Sequence, residues 1–256
     1  MMRKITLLAA CAALALSACG SMGMFGPSDA ARVAVIEAAL AGPPRTDEDR
    51  ARDASRMTAE TLAFARVEPG DRVIDLMIGG GFFTRAFAAA VGPEGHVTAW
   101  QPDEFVAFSA DYGVALTAAD ALPNVTGAAS AINTPDWPGG ADVIFTAQNY
   151  HDLHLDAFPE GTAARVNAAA YAALKPGGYY VIVDHAAMAG ADASVADTLH
   201  RIDRDQVVRE VTAAGFVLDG ESDALLRPAD PLTASVFDES IRGNTSQFML
   251  RFRKPG

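Results

Sequence analysis

Val73-Ile74-Asp75-Leu76-Met77-Ile78-Gly79-Gly80-Gly81-Phe82-Phe83-Thr84 joins an apolar run to a glycine-rich turn and then to the start of a second apolar segment. Such a run reads as a buried strand, and the segment from Phe83 to Val91 reads as a helix. Glycines between them let backbone approach a ligand with no Cβ in the way, and the helix start aims free N–H groups at the same space. A carboxylate at the strand end, Asp75, can hold the ammonium of an amino-acid ligand. A glycine-rich turn alone is weak evidence, because many α/β folds use one only to close the strand-helix angle.

Outward from this turn the pattern repeats. The apolar runs Arg72 to Ile78, His96 to Trp100, Asn124 to Ala128, Ala141 to Ala147 and Tyr179 to Asp184 alternate with helical stretches. These stretches are Phe83 to Val91, Asp103 to Leu116 and Thr162 to Leu174, the last stopped by Lys175-Pro176-Gly177-Gly178. Alternation of this kind predicts a parallel sheet with helices on both faces. A further helix is expected from Asp203, with Gln206 at capping-box spacing and Gly215 at its end; Val207, Val211 and Ala214 would face the core. The last two strands, Phe216 to Leu226 and Gln247 to Arg253, have no helix between them and should pair antiparallel. Upstream, Ser28 to Leu40 and Thr46 to Arg66 read as helices separated by Gly42-Pro43-Pro44.

The motifs at these positions resemble the class I S-adenosylmethionine-dependent methyltransferases. Asp75-x-x-x-Gly79-x-Gly81-x-x-Thr84 looks like their first motif, although Met77 stands where a glycine is frequent. Leu174 to Gly178 and Ala213-Ala214-Gly215-Phe216 are similar to later motifs in the same order. A narrower resemblance, to a bacterial "predicted methyltransferase" family, rests on five segments: Gly79 to Thr84, Gln148-Asn149-Tyr150-His151-Asp152-Leu153, Val183-Asp184-His185, Leu199-His200-Arg201-Ile202 and Ile241-Arg242-Gly243. The resemblance covers nearly all of residues 28 to 256. It implies a Rossmann-like, seven-stranded, mostly parallel sheet with a reversed last strand. It further implies S-adenosylmethionine bound by Asp75, Gly79, Gly80, Gly81, Thr84, Gln101 and Asn149, and a small-molecule methyl acceptor that it does not name.

Two carboxylates usual in that superfamily are missing. The acid that receives the ribose hydroxyls falls on Gln101, which offers one acceptor and no charge, unless Asp103 or Glu104 reaches round. The place of the acid that contacts adenine reads Ala129-Ser130-Ala131. A fold that kept its glycine turn without full donor affinity is therefore the bland alternative.

The remaining chemistry gathers after the fourth and fifth strands, at the carboxyl edge where doubly wound folds bind ligands. His151 is the candidate general base, Asp152 or Asp184 would orient it, and His185 would shape the substrate pocket. Alternatively, His151 and Asp152 simply cap a helix. His96 reads as structural, and His200 either covers the pocket or sits in an exposed turn. Arg242 either binds an acidic ligand or bridges one of the many carboxylates, the bridge being the favoured expectation. A rival reading takes His151 and His154, three apart on one helix face, with His185 or Asp184 as ligands of zinc or another divalent ion. No His-Glu-x-x-His core accompanies them, and the Asn-Pro-Pro-aromatic signature of amino-group methylation is absent.

The N-terminus carries an address. Arg3 and Lys4 precede the apolar run Ile5 to Leu16, about a dozen residues and too short to span a bilayer. The run closes on Leu16-Ser17-Ala18-Cys19, which resembles a bacterial lipobox, with Cys19 the acylated residue. An ordinary cleavage site with an incidental cysteine is the alternative. Residues 1 to 18 are thus expected as signal peptide, 19 to 27 as a tether and 28 to 256 as one domain, with helices over 28 to 66. With no acidic residue after Cys19, the periplasmic face of the outer membrane is the expected location. Cys11, the other cysteine, is lost on cleavage, so the mature chain has no internal disulfide. Without Arg3 and Lys4 the chain has 18 basic and 32 acidic residues, a net of −14 with histidines neutral. Such a charge repels phosphate backbones and disfavours nucleic-acid partners. A non-catalytic binding lipoprotein is the third reading, since a periplasmic protein has no evident supply of the methyl donor.

Overall fold

The computed structural model describes residues 27 to 256. Cys19, the lipobox and most of the tether lie outside the described residues. The first three helices are α1 (Pro27–Leu40), α2 (Asp47–Arg56) and α3 (Thr58–Phe64). The stretch from Thr46 to Arg66, expected as one helix, is broken at Met57, whose left-handed backbone (φ 45°) ends α2 and begins α3. The break turns Thr61, Leu62 and Phe64 inward, while α2 stays charged and lies over the carboxyl edge of the sheet. Thr46 caps α2: its hydroxyl accepts from the Asp49 N–H (3.1 Å), and Asp49 accepts in return from the Thr46 N–H (3.0 Å).

The strands are β1 (Arg72–Leu76), β2 (His96–Pro102), β3 (Val125–Ser130), β4 (Ala141–Ala147), β5 (Leu174–His185), β6 (Val217–Ser222) and β7 (Gln247–Arg253). They form one sheet in the order β3-β2-β1-β4-β5-β7-β6. Only β7 runs against its neighbours, pairing antiparallel with both β5 and β6. Between them lie α4 (Phe82–Val91), α5 (Asp103–Phe108), α6 (Ala110–Asp120), α7 (Thr162–Ala173), α8 (Val195–Leu199) and α9 (Arg204–Ala213). The expected helix from Asp103 to Leu116 is two helices, because Ser109 adopts extended backbone and caps α6 through its hydroxyl. Asp203 caps α9 as expected, but Gln206 donates to Glu210 instead of closing a capping box.

Central strands bury both faces, which is why they read as unbroken apolar runs. On one face Phe83 and Phe87 of α4 pack on Phe145 of β4, with centroids 4.8 and 5.0 Å apart. On the other, Trp100, Tyr150, Tyr180, Phe216 and Phe252 are buried. Each fully buried large side chain contributes about 1.5–3 kcal/mol. Strand order reverses between β1 and β4, so their carboxyl ends diverge and leave a crevice.

Candidate active site

The crevice begins where β1 stops. Met77 leaves the strand at φ 55°, and Gly79 and Gly81 follow at φ 53° and 75°. Met77 thus takes a backbone shape that a glycine adopts freely and that costs an L-residue about 1–2 kcal/mol. A Cβ built on Gly79 or Gly80 would meet nothing within 4 Å. Both glycines line a cavity of about 310 Å³, together with Asp75 and Asn149.

Asp75 is buried, and its Oδ2 accepts from the Thr84 hydroxyl at 2.6 Å. Burial pushes its carboxyl up to about 7, against the pull of that hydrogen bond. Thr84 is itself fully buried, so it serves by holding Asp75. Asn149 donates through Nδ2 to the carbonyls of Met77 (3.0 Å) and Ala147 (2.6 Å), which ties the ends of β1 and β4 together. Gln101 is already engaged: its Oε1 takes the N–H of Gly79 at 3.2 Å, and the side chain is buried. Neither nearby acid replaces it, because Asp103 is exposed and Glu104 accepts from the Ile132 N–H at 2.9 Å. The Ser130 hydroxyl accepts from Trp100 Nε1 (2.8 Å) and so braces the core.

The second cavity, about 750 Å³, lies beyond Gln148 and Asn149, which line both. Asp152, His151, His185 and His200 face it among Phe105, Phe158 and Phe237. His151 opens a 3-10 turn, His151–His154. Its N–H and Nδ1 both reach the fully buried Asp184, at 2.7 and 2.8 Å, and Asp184 also accepts from the His185 N–H (2.7 Å). On the other side of the ring Nε2 lies 3.3 Å from Asp152 Oδ1. Burial opposes a charged imidazole here, yet the Asp184 carboxylate outweighs it and holds His151 at about 9. Burial would likewise raise Asp184, but the His151 charge and its hydrogen bonds keep it below the usual carboxylate range. Asp152, lacking such donors, is pushed up by burial to about 6. His185 donates or accepts at Nδ1 with the Thr245 hydroxyl (2.9 Å), and burial lowers it to about 4, so it is neutral at pH 7.

Two expectations need correction, those for His154 and Arg242, and the choice left open for His200 is decided. His154 does not join His151: its Nε2 lies 3.0 Å from Glu210, which also receives the Tyr150 hydroxyl at 2.9 Å. The two rings part, His151 toward Asp184 at the end of β5 and His154 toward Glu210 of α9, and the metal set His151, His154 and His185 is not assembled. Among the described residues the group able to present three ligand atoms to one ion is instead His151, Asp152 and His200, within 4.8 Å of one another. His200 thus covers the pocket, at φ 52° after α8, and is not an exposed turn residue. Arg242 bridges no carboxylate among the described residues; it lines a third cavity with Arg52 and Arg56.

Sequence reading missed several members of the site. Arg52 and Arg56 sit in a helix whose distance in sequence hides its contact with the sheet edge. Arg201 carries no catalytic role, since its guanidinium forks onto Asp230 (2.9 Å for each bond) with both side chains fully buried. That pair anchors residues 227 to 246 across the connection after β5, and so fixes Val236 and Phe237 as pocket wall. No local motif signals a partner 29 residues away.

Solved structures with this architecture are numerous. A SAM-dependent methyltransferase from Aquifex aeolicus aligns over 86% of this chain and 97% of its own, at 18% identity and TM-score 0.55. The N-methyltransferase NodS from Bradyrhizobium japonicum WM9 aligns over 82% and 99%, at 14% and 0.54. The chain has the class I methyltransferase fold. The [4+2]-cyclase SpnF shares it too, over 87% and 92%, at 17% identity and TM-score 0.58. No protein-family model matches the chain, and no curated protein gives a significant match. At these identities the likeness speaks for the fold, and the residues of the crevice must speak for the chemistry.

Proposed function

We propose that the protein is an S-adenosylmethionine-dependent methyltransferase of small molecules, within the bacterial family its motifs resemble. The observation that carries this reading is the shared wall: Gln148 and Asn149 separate the open glycine turn from the cavity that holds Asp152 and His151. A donor on one side and an acceptor on the other would meet across them. Asp75, Gly79, Gly80 and Asn149 fit the amino-acid end of the donor, because an acidic group and bare backbone face open space. Gln101 fits the ribose end poorly, being buried and already engaged by the Gly79 N–H. When bound, the donor would supply an electrophilic methyl group.

Deprotonation of the acceptor falls to the His151–Asp152 pair. Nδ1–H is fixed on Asp184, so Nε2 and Asp152 share the cavity side of the ring. With His151 near 9 the imidazole holds its proton at pH 7, and the adjoining Asp152, near 6, is ionised and free to accept one. His151 then works less as the lone base than as the charged support of Asp152. Export with lipid attachment at Cys19 completes the proposal; labelling with radioactive palmitate should mark the wild type and not Cys19→Ser.

Calorimetry of the full chain with S-adenosylmethionine and S-adenosylhomocysteine tests the donor. Micromolar binding that disappears in Gly79→Val supports the reading, and no heat with either compound sinks it. One observation favours a second reading: His151, Asp152 and His200 could hold a divalent ion, with Asp184 fixing the ligand ring from behind. Stoichiometric zinc in the purified protein, lost in His200→Ala, would establish that reading in place of proton transfer.

A further inference from the structure

The third cavity, about 260 Å³, opens between α2, the end of β5 and the segment from Arg242 to Gln247. Arg52, Arg56 and Arg242 line it and no aspartate or glutamate does, although Arg52 and Arg56 also border the glycine-turn cavity, where Glu48, Asp49 and Asp75 lie. A lining without acids is unusual for a chain with 32 acidic and 20 basic residues. Many other arginines are paired, Arg45 with Asp49 and Asp53, Arg85 with Asp49, Arg201 with Asp230 and Arg251 with Asp219, while Arg165 and Arg227 rest on backbone carbonyls. These three have no carboxylate partner among the described residues.

Two of the three are held against aromatic rings. Arg52 and Arg56 lie over the Phe82 ring, 5.1 and 4.9 Å from its centroid, and Arg56 also lies over Phe83. A guanidinium resting against a ring gains a cation–π contact and keeps N–H groups for a planar or tetrahedral anion. The one side-chain acceptor on Arg56 is the neutral Gln148 Oε1, at a long 3.3 Å. Burial and the charge of Arg52 lower Arg56 to about 10, the mark of a cation without a counter-charge. The floor is made of neutral polar groups, among them His185 and Thr245. Gln148, His185, Val236 and Phe237 also line the apolar cavity beside Asp152, so the two spaces adjoin.

We propose that Arg52, Arg56 and Arg242 bind the anionic head of the acceptor, a carboxylate- or phosphate-bearing small molecule whose apolar body extends past Phe237 toward Asp152. Its naming as acceptor rests on the methyl-transfer reading; the anion site does not. The head is held by charge-assisted hydrogen bonds, and the body lies among Phe105, Phe158 and Phe237.

Octanoate and octyl phosphate serve as probes, with octanol as the neutral counterpart, titrated calorimetrically into the full chain with and without S-adenosylhomocysteine. Both acids should bind about tenfold or more tighter than octanol, since hydrogen bonds to charged groups are at stake. Arg242→Gln and Arg56→Gln should each weaken the acids about tenfold and leave octanol unchanged. Arg242 is exposed, so its variant reports even where Arg56→Gln fails to fold. Arg209→Gln, an exposed charge on α9, should have no effect. Equal binding of octanol and octanoate overturns the proposal, as does an Arg209→Gln loss matching that of Arg242→Gln. Parallel loss of S-adenosylhomocysteine in the arginine variants also overturns it, by assigning them to the carboxylate of the donor. Acid binding without any S-adenosylhomocysteine heat in the wild type upholds the anion site and removes the donor reading instead.

Discussion

Asp75→Asn should stabilise the ligand-free protein, and more so as pH rises. The carboxyl is buried, and it titrates near 7 in the fold against 3.8 in the unfolded chain. A raised acid keeps its proton longer when folded. Stability is therefore full below pH 3.8, falls between 3.8 and 7, and is level above. One pKa unit is worth about 1.4 kcal/mol, so the cost reaches about 2 kcal/mol at pH 5 and about 4 kcal/mol at pH 8. Asparagine removes that cost while its amide oxygen still accepts the Thr84 hydroxyl, which now meets Oδ2 at 2.6 Å. Urea unfolding of both proteins at pH 5 and pH 8 should show a gap in favour of the variant that widens by about 2–3 kcal/mol. The same substitution should weaken S-adenosylhomocysteine about tenfold or more, because the ammonium loses its counter-charge. A gap independent of pH, or a variant no more stable than wild type at pH 8, refutes the buried, ionising carboxylate. Stability and affinity moving in opposite directions is the signature of a residue kept for a ligand.

Three further outcomes follow from the same contacts. In Asp184→Asn the His151 ring should lose its titration near 9 and titrate lower, burial then being opposed by Asp152 alone; nuclear magnetic resonance of the histidine rings reads this, and an unmoved His151 contradicts the pair. Asp230→Ala leaves Arg201 buried without its partner and should cost about 3–5 kcal/mol in thermal or urea unfolding, with a loss under about 1 kcal/mol arguing against the anchor. Asp49 accepts from Arg85 at 2.6 Å through both oxygens and is held at about 2; its stabilisation is present above pH 3.8 and lost as pH falls through 2. Asp49→Asn should therefore cost about 1 kcal/mol at pH 7, allowing for solvent at Arg85, and a cost that persists undiminished at pH 2 removes the charge from the explanation.

The fold was legible because its signals are local. Val73 to Thr84 shows a strand, a turn and a helix start within twelve residues, and the alternation of runs implies a parallel sheet, whereas the strand order β3-β2-β1-β4-β5-β7-β6 is set by long-range pairing that no local signal carries. Gln247 to Arg253 was found to the residue, since a strand buried on both sides has sharp polar ends. Helix continuity was not legible: Met57 and Ser109 break stretches whose composition is helical throughout, and only tertiary packing selects their backbone. The site was half legible. His151, Asp152, Asp184 and His185 were placed at the right edge because strand ends are readable, but the direction of a side chain is not. His154 turned to Glu210, Gln101 to Gly79 and Ser130 to Trp100, each captured by a partner from a distant element. Arg52 and Arg56 are not legible as site residues because a charged helix reads as a solvated face, and its contact with the sheet edge is set by tertiary packing.

Gln101 bears most directly on what the crevice binds. A free carboxylate at that place would face a ribose; this glutamine is buried at the end of β2 and takes the Gly79 N–H. The turn therefore gains a brace, and one backbone donor is withdrawn from any ligand. The half of the site around Asp75, Gly80 and Asn149 keeps its open space and its charge, while the half toward β2 and β3 is rebuilt for packing, with Ser130 holding Trp100. Binding energy for a nucleoside-linked amino acid would then be concentrated at the amino-acid end. Losses at Asp75 should be large and losses at Gln101 small, the reverse of a site anchored by its ribose. A fold shared with a [4+2]-cyclase as well as with methyltransferases leaves room for such rebuilding. The arginine-lined cavity supplies what the weakened ribose end lacks: if the acceptor is anchored by its own charge, the reacting groups can be brought together with less reliance on the donor.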